Sequence, residues 1–437
     1  MRCWLPAVLF LAVAAPAQAE VDVAAAIRIR PGLVDGQVRP GAATTESVVE
    51  LRTIVNATVT AGAATFFAEI RDSRAYGQPQ VSALMAGDVN TLEPVQLRAS
   101  LDLGDLAGAG TRLRLTAGRT DMQFASRRLL ATGDYRNAAF FFTGVDAILE
   151  TRGGADLELF WMLPQTRRPE ERDAVLANRP ALDRERLAQQ IFGLSLLGPV
   201  GRRGVELGLT VMGISERDRP GFATRNRQLW TLGPRVLKLP APGAVDFEVE
   251  AFVQGGRAAP VDQPLAAPVP VRAGMVRALV GYSWHGELAP RLALEFDHVS
   301  GDAPGGRYGR FDQLFGARRF EFGPSSVYGV LGRANLTSPG VRLSIDQRGR
   351  ADGWIVARGL WAASATDVFS TSGVRDSSGE AGRFAGVQVD ARARLWLKPR
   401  TLRADLNMTG LARRGVLQGA APGRSSLYVA SALEAFF

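Results

Sequence analysis

The chain has 437 residues, with 52 Lys+Arg against 43 Asp+Glu for a formal net charge of +9, two histidines and one cysteine. Cys3 alone makes neither a disulfide nor a cysteine-ligated metal centre, and a histidine-dependent nucleophile would have to rest on His285 or His298. Lysine occurs only at Lys238 and Lys398, so nearly all positive charge is arginine, the planar, bidentate and permanently charged partner of carboxylates. A GC-rich genome accounts for part of that bias and leaves its chemistry in place.

Residues 1–19 read as a secretory signal: Arg2, an apolar run from Leu5 to Ala15 broken only by Pro6, then Ala17-Gln18-Ala19 before Glu20. The run is too short to cross a bilayer as a mature helix, which takes about 20 apolar residues. Cys3 lies inside it, so the mature chain 20–437 carries no thiol. No Pro/Ser-rich hinge or change of pattern divides 20–437, and one domain is expected despite the length.

From residue 20 the recurring unit is about ten residues of alternating apolar and polar side chains, the per-segment signature of a membrane-spanning strand. In Val95 to Leu103 the apolar residues share one face, while Gln96, Arg98, Ser100 and Asp102 share the other. Val245, Phe247, Val249, Ala251 and Val253 stand likewise against Asp246, Glu248 and Glu250. Comparable segments begin near Val23, Val48, Ala64, Val95, Thr111, Ala139, Ala155, Gln189, Gly204, Asn226, Val245, Arg272, Arg291, Gly340, Gly353, Gly386, Thr401 and Leu427. A soluble sandwich alternates in the same way; the number of segments, and a last one ending in Phe437, point to a barrel. The fold class expected is all-β: a transmembrane antiparallel β-barrel of about 18 strands, with long extracellular loops and short periplasmic turns.

The connections support that orientation. Those at 61–63, 151–154, 198–203, 285–290 and 398–400 are short, and those at 72–94, 119–137, 164–188, 254–271, 301–339 and 412–426 are long. The stretch from Arg168 to Gln190, rich in Arg, Glu, Ala and Leu, reads as a helix within an outside loop. The turn Lys398-Pro399-Arg400 is too short to plug a pore from the periplasm, so gating is expected at 72–94 and 301–339.

With the apolar faces on lipid, the polar faces line a lumen. Parity puts Arg28, Arg30, Arg52, Arg71, Arg98, Arg112 and Arg114 there early in the chain and Arg342, Arg392, Arg394 and Arg403 late. The middle contributes Asp156, Glu158, Glu206, Asp246, Glu248, Glu250, Glu295 and Asp297. First and last strands become neighbours on closure, so a basic wall faces an acidic one. This reads either as a track that holds carboxylates while facing acids limit the grip, or as a charge-balanced ladder that stiffens the barrel. Enzymatic readings find little: His298 shares parity with Leu294 and Phe296, and no metal cluster, phosphate loop or nucleophile elbow occurs.

Three blocks resemble a known family. Gly118-Arg119-Thr120, Ser126-Arg127-Arg128-Leu129, Tyr135-Arg136-Asn137 and Phe142-Thr143-Gly144-Val145 resemble the G-R-Q, G-x-R-L, W-R-N and F-D-G series of alginate export proteins. Phe311-Asp312-Gln313-Leu314-Phe315, Arg319 to Pro324 and Leu331 to Gly340 resemble a second block, and Phe67 to Gly77 an early strand-and-loop block. The resemblance spans most of the mature chain. It implies an eighteen-stranded barrel whose arginine-rich constriction passes a polyuronate outward without energy coupling of its own. It also implies substrate contacts at Arg119, Arg128 and Arg136, with Arg71 and Arg74 beside the early loop; parity adds Arg98, Arg112, Arg114, Arg392 and Arg394. Arg119 shares parity with the lipid-facing Leu113 and Leu115 and needs a bulge or strand end to turn inward.

The expectation is therefore an anion-selective channel of the bacterial outer membrane and not an enzyme, with no cofactor and no metal. Its expected partners are an anionic polysaccharide, outer-membrane lipid and periplasmic polymer-secretion proteins, with no nucleic acid, and a monomer is the expected state. A general or oligosaccharide-uptake porin is the alternative within transport, because a passive pore has no written direction. An outer-membrane enzyme and a structural barrel are the alternatives from other classes.

Overall fold

The computed structural model describes residues 19–106, 108–201, 203–305, 307–419 and 423–437; the export signal expected at 1–19 lies, up to residue 18, outside them. The strands are β1 (Glu20–Asp35), β2 (Thr45–Ala61), β3 (Ala64–Tyr76), β4 (Asn90–Gly104), β5 (Arg112–Thr120), β6 (Phe142–Glu150), β7 (Asp156–Pro164), β8 (Gln189–Val200), β9 (Val205–Glu216), β10 (Gln228–Lys238), β11 (Ala244–Ala258), β12 (Val269–Ser283), β13 (Arg291–Val299), β14 (Leu336–Gln347), β15 (Ala351–Trp361), β16 (Phe384–Lys398), β17 (Leu402–Arg413) and β18 (Ser425–Phe436). Each pairs antiparallel with the next, and β1 pairs with both β2 and β18, so the sheet closes into an eighteen-stranded barrel. Closure leaves no unpaired edge, the condition for strands to cross hydrocarbon. Each segment start read from alternation lies within five residues of the observed one.

Period-2 alternation decides which face meets which medium. In β1, Val21, Val23, Ile27, Ile29 and Leu33 are exposed, whereas Arg28 and Arg30 between them are buried. The apolar residues point out and the charged ones in, the reverse of a soluble protein. Trp230, Tyr282, Trp284, Trp361 and Phe384 add aromatic rings to the outer surface. Among the described residues no helix is long and apolar enough to cross a membrane. Connections at one end are the brief turns 62–63, 105–111, 151–155, 201–204, 239–243, 284–290, 348–350 and 399–401; at the other they run to 121–141, 165–188, 300–335 and 362–383. The short-turn end is the periplasmic one.

The helix expected from Arg168 to Gln190 is reduced to α1 (Arg172–Leu176). Pro169 and Pro180 bracket it, and Asn178 leaves it at φ +50. The Asn178 amide then clasps the backbone of Ala75, donating to its carbonyl at 2.8 Å and accepting its N–H at 2.9 Å. Side-chain ties to the barrel rim replace the helical repeat.

The loops 121–141 and 300–335 fold inward rather than standing outside. Each is too apolar for water: Phe124, Leu129, Leu130 and Phe141 of the first and Phe311, Phe322, Tyr328 and Val330 of the second are buried. They pack on apolar residues of the inner wall, the first and the start of the second on Phe160, Met162, Met212, Phe252 and Met275, the rest of the second on Val34, Val48, Leu360 and Leu411. The loops also bind each other, Phe315 N–H donating to Leu129 O at 2.9 Å and Ala317 N–H to Arg127 O at 3.0 Å. The second loop carries the one-turn helix α2 (Arg319–Phe322).

Candidate functional site

Between the inserted loops and the wall made by β1, β16, β17 and β18 lies a chamber of about 420 Å³. Among the described residues its lining includes ten arginines against four acids, and three acids behind the lining pair with some of them, Glu50 with Arg30, Asp390 with Arg319 and Asp352 with both Arg392 and Arg394, so a smaller surplus of positive charge remains. Strands supply Arg28, Arg30, Arg392, Arg394 and Arg403; the loops supply Arg127, Arg136, Arg318, Arg319 and Arg333; the acids are Asp134, Glu321, Asp405 and Glu434.

The asparagines of the two family-like motifs rivet the loops. Asn137, fully buried, donates to the carbonyls of Leu51 and Arg74 at 3.0 Å and of Asp88 at 3.1 Å, and accepts from Arg28 at 3.1 Å. Asn335, with φ +42, donates to the carbonyls of Ser364, Asp367 and Val368 and accepts the Ser364 N–H at 2.7 Å. These anchors fix the residues that precede them, Arg136 and Arg333.

On the outer side of the chamber Arg39, Arg136, Arg167 and Arg318 come together, and none of them pairs with a carboxylate within 4 Å among the described residues. Their hydrogen-bond partners are neutral: Arg39 donates to Ala83 O, Arg167 to Ala138 O at 2.9 Å and Arg318 to Thr371 Oγ1 at 2.9 Å, while the carboxylate of Asp88, farther than 4 Å, attracts Arg39, Arg136 and Arg167. Gly87 makes the approach possible. A Cβ there would stand 2.6 Å from a terminal nitrogen of Arg136 and 2.9 Å from one of Arg167. Burial and then the neighbouring Arg136 push Arg167 down to about 9, and burial, Arg136 and Arg39 lower Arg318. Guanidinium groups that destabilise one another in this way favour an incoming oxyanion.

The acidic side is different in kind. Arg128, buried, meets Glu248 at 2.6 Å, Glu250 at 2.5 Å and Glu321 at 2.8 Å. Arg277 meets Asp297 at 2.8 Å, Arg358 meets Glu295 at 3.1 Å, and Arg235 meets Glu248 at 2.8 Å. The acids of β11–β13 are thus compensated. Among the described residues no arginine lies within 4 Å of Asp156, Glu158 or Glu206, so the unpaired acids of this wall lie on β7 and β9. Opposite walls of unlike charge are present, but five of the eight acids of the acidic one are neutralised from within.

The arginines expected as contacts divide by place. Arg136, Arg392 and Arg394 line the chamber. Arg112 and Arg114 face the lumen near the short turns, around Asp102, whereas Arg98 faces it farther up, bound to Asp121 at the loop end of β5. Arg71 is buried beside Glu69 and under the Phe141 ring. Arg128 lies in its triple carboxylate cluster, apart from the lining. Arg74 points outward at the rim with Asp72 at 2.8 Å. Arg119 also stays on the outer face: its ladder partner Leu97 is 68 % exposed, and it is covered by Glu185 of loop 165–188 and by Glu93, both at 2.6 Å. Gly118, at φ +120, adapts the strand at that point, a Cβ there falling 2.3 Å from Leu97 O. The change leaves Arg119 outside. Arg39, Arg167, Arg318 and Arg319 sit in loops, where alternation carries no information, and the reading by parity missed them.

This closed barrel, apolar without and charged within, is that of an outer-membrane channel. A family model described as alginate export matches residues 20–427, and the chain belongs to that family. Similar solved structures include outer membrane protein OpdK from Pseudomonas aeruginosa, at 13% identity over 95% of this chain and 99% of that one with a TM-score of 0.57. OccAB2 from Acinetobacter baumannii is similar at 10% identity, 95% and 98% coverage and a TM-score of 0.60. Pseudomonas aeruginosa OccK2 (OpdF) in complex with glucuronate is similar at 12% identity, 95% and 97% coverage and a TM-score of 0.54. No curated protein matches. These likenesses speak for the fold, which, with the family, is that of channels rather than of enzymes.

Proposed function

We propose that the chain is a passive, anion-selective channel for a polyuronate exopolysaccharide of the alginate type. Arg28, Arg136, Arg318, Arg392, Arg394 and Arg403 are its carboxylate contacts, Arg112 and Arg114 are steering charge toward the periplasmic mouth, Arg98 adds charge to the lumen above them, and residues 1–19 are its export signal. The observation that carries this reading is the chamber's surplus of guanidinium groups, with no carboxylate within 4 Å of Arg136 or Arg318 among the described residues and only the more distant Asp88 attracting Arg136. A carboxylate entering it replaces repulsion by bidentate hydrogen bonds, and water in the chamber keeps each contact weak enough to break. The reading extends to a monomer that receives polymer from periplasmic secretion proteins.

One observation favours uptake of small sugar acids as a second reading: a chamber of about 420 Å³ has room for a short saccharide, and glucuronate is the ligand in the similar OccK2 structure. Reconstitution in planar bilayers under a potassium chloride gradient tests the shared core of both. Wild type is expected to prefer chloride, and Arg136→Ala with Arg318→Ala to lower that preference several-fold. An unchanged reversal potential would remove these residues from the site. Block by a uronate polymer from the periplasmic side favours export, whereas block only by single uronates favours uptake.

A further inference from the structure

Four aromatic rings line the chamber: Tyr135, Phe140, Phe315 and Phe320. Three are already engaged. Tyr135 lies under the guanidinium groups of Arg30 at 4.5 Å and Arg319 at 5.1 Å. Phe140 lies under Arg167 at 3.7 Å and meets Phe315 edge to face at 5.5 Å, and Phe315 meets Phe142 at 5.7 Å. Phe320 has Arg342 over it at 4.9 Å and is still 62 % exposed.

Nothing about that exposure is loose. Phe320 belongs to α2, between the buried Arg319 and Glu321. Arg342 of β14 donates to its carbonyl at 2.8 Å, Arg358 of β15 to the carbonyl of Glu321, and Arg319 to Asp390 of β16 at 2.7 Å. Three strands therefore bolt the helix in place, and the ring is presented to the chamber's water at little conformational cost on binding. An aromatic ring so held forgoes its own burial until something covers it.

Resting on the function proposed above, we infer that Phe320 is a stacking platform that makes the chamber select ring-bearing sugar acids over open-chain carboxylates. A hexopyranuronate has an apolar face of ring C–H groups and a carboxylate at its edge. The face packs on Phe320 while the carboxylate reaches the guanidinium groups of the same chamber, Arg318, Arg392 and Arg394 among them. An open-chain acid carries the charge without the flat face.

Glucuronate and gluconate form a matched pair of probes, equal in charge and close in size, of which only the first closes to a pyranuronate ring. Each is titrated against the chloride current of the full-length protein in planar bilayers. Wild type is expected to be half-blocked by glucuronate at a concentration about 3- to 10-fold below that for gluconate, the range an aromatic contact supplies. Phe320→Ala and Phe320→Leu should bring the two concentrations together with chloride preference unchanged, and Phe320→Trp should keep them apart. The leucine variant retains apolar bulk and guards against a packing defect in the alanine one. Chloride preference with equal block by both acids, with no block by either, or with discrimination that survives Phe320→Leu, overturns the platform alone. Absence of chloride preference in wild type overturns the proposed function and this inference with it.

Discussion

Arg128 of one inserted loop and Glu321 of the other meet at 2.8 Å, and the same guanidinium reaches Glu248 and Glu250 on the barrel wall. One side chain thus joins both loops to the strand behind them. The three carboxylates compensate Arg128 fully, and Arg128, Arg277 and Arg333 together hold Glu321 well below the usual carboxylate range despite its burial. Its role is a clasp.

Arg128→Gln is expected to leave buried carboxylates uncompensated, a loss on the order of 3–5 kcal/mol when one partner of a buried pair is removed. Chloride preference should stay near wild type while single-channel conductance rises and becomes noisier. Conductance traces and the temperature at which the folded barrel loses its anomalous gel mobility check both parts. Wild-type conductance with wild-type stability would contradict the clasp.

Arg119→Ala is expected to leave ion selectivity unchanged, because Arg119 sits on the outer face. Its effect should fall on loop 165–188, which loses the tie from Arg119 to Glu185, and limited proteolysis should cut that loop faster than in wild type. A shift in reversal potential would place Arg119 on the ion path after all.

Loop 165–188 also carries a titrating group. Burial and the adjacent Glu93 push the Asp183 carboxyl up to about 7, against the attraction of Arg167 and Arg119. Asp183 accepts the Arg168 N–H at 2.8 Å and the Asn90 amide at 2.9 Å, and its own N–H donates to Glu93 at 2.9 Å. A carboxyl with a folded pKa raised above its unfolded value of about 3.9 binds more protons folded than unfolded between the two. The packed loop therefore loses stability as pH rises from about 4 to about 7. Amide hydrogen exchange in the loop, corrected for the intrinsic pH effect, should rise across that window in wild type and stay flat in Asp183→Asn.

Gly87→Val puts carbon where the terminal nitrogens of Arg136 and Arg167 meet. The obstacle touches only the flexible ends of side chains, so assembly should survive while the two guanidinium groups are forced apart. Chloride preference is expected to fall by less than for loss of Arg136 and Arg318 together, and reversal potentials across the three proteins give the order.

The barrel was readable because lipid outside and charge inside leave period 2 one interpretation, strand after strand. Arg119 shows how far parity reaches: its outward placement was written in its register with Leu113 and Leu115. Arg128 shows where parity stops, since its carboxylates come from 120, 122 and 193 residues away. The length of 121–141 and 300–335 marks them as outside loops and does not show their inward turn. Their content carried the signal, because a loop holding Phe124, Leu129, Leu130, Phe140 and Phe141 has no stable place in water. The apolar inward positions Phe252 and Met275 were a matching sign on the wall.

A barrel of eighteen strands is wide enough to hold an open aqueous column. Here two lengths of its own chain, seated on apolar patches of the wall, stand inside that column. The consequence falls on the envelope as a permeability barrier. Uncharged solutes that would sieve through an empty cylinder of this girth meet packed side chains and a cationic opening instead, so a cell can carry many copies without becoming leaky to what it needs to keep out.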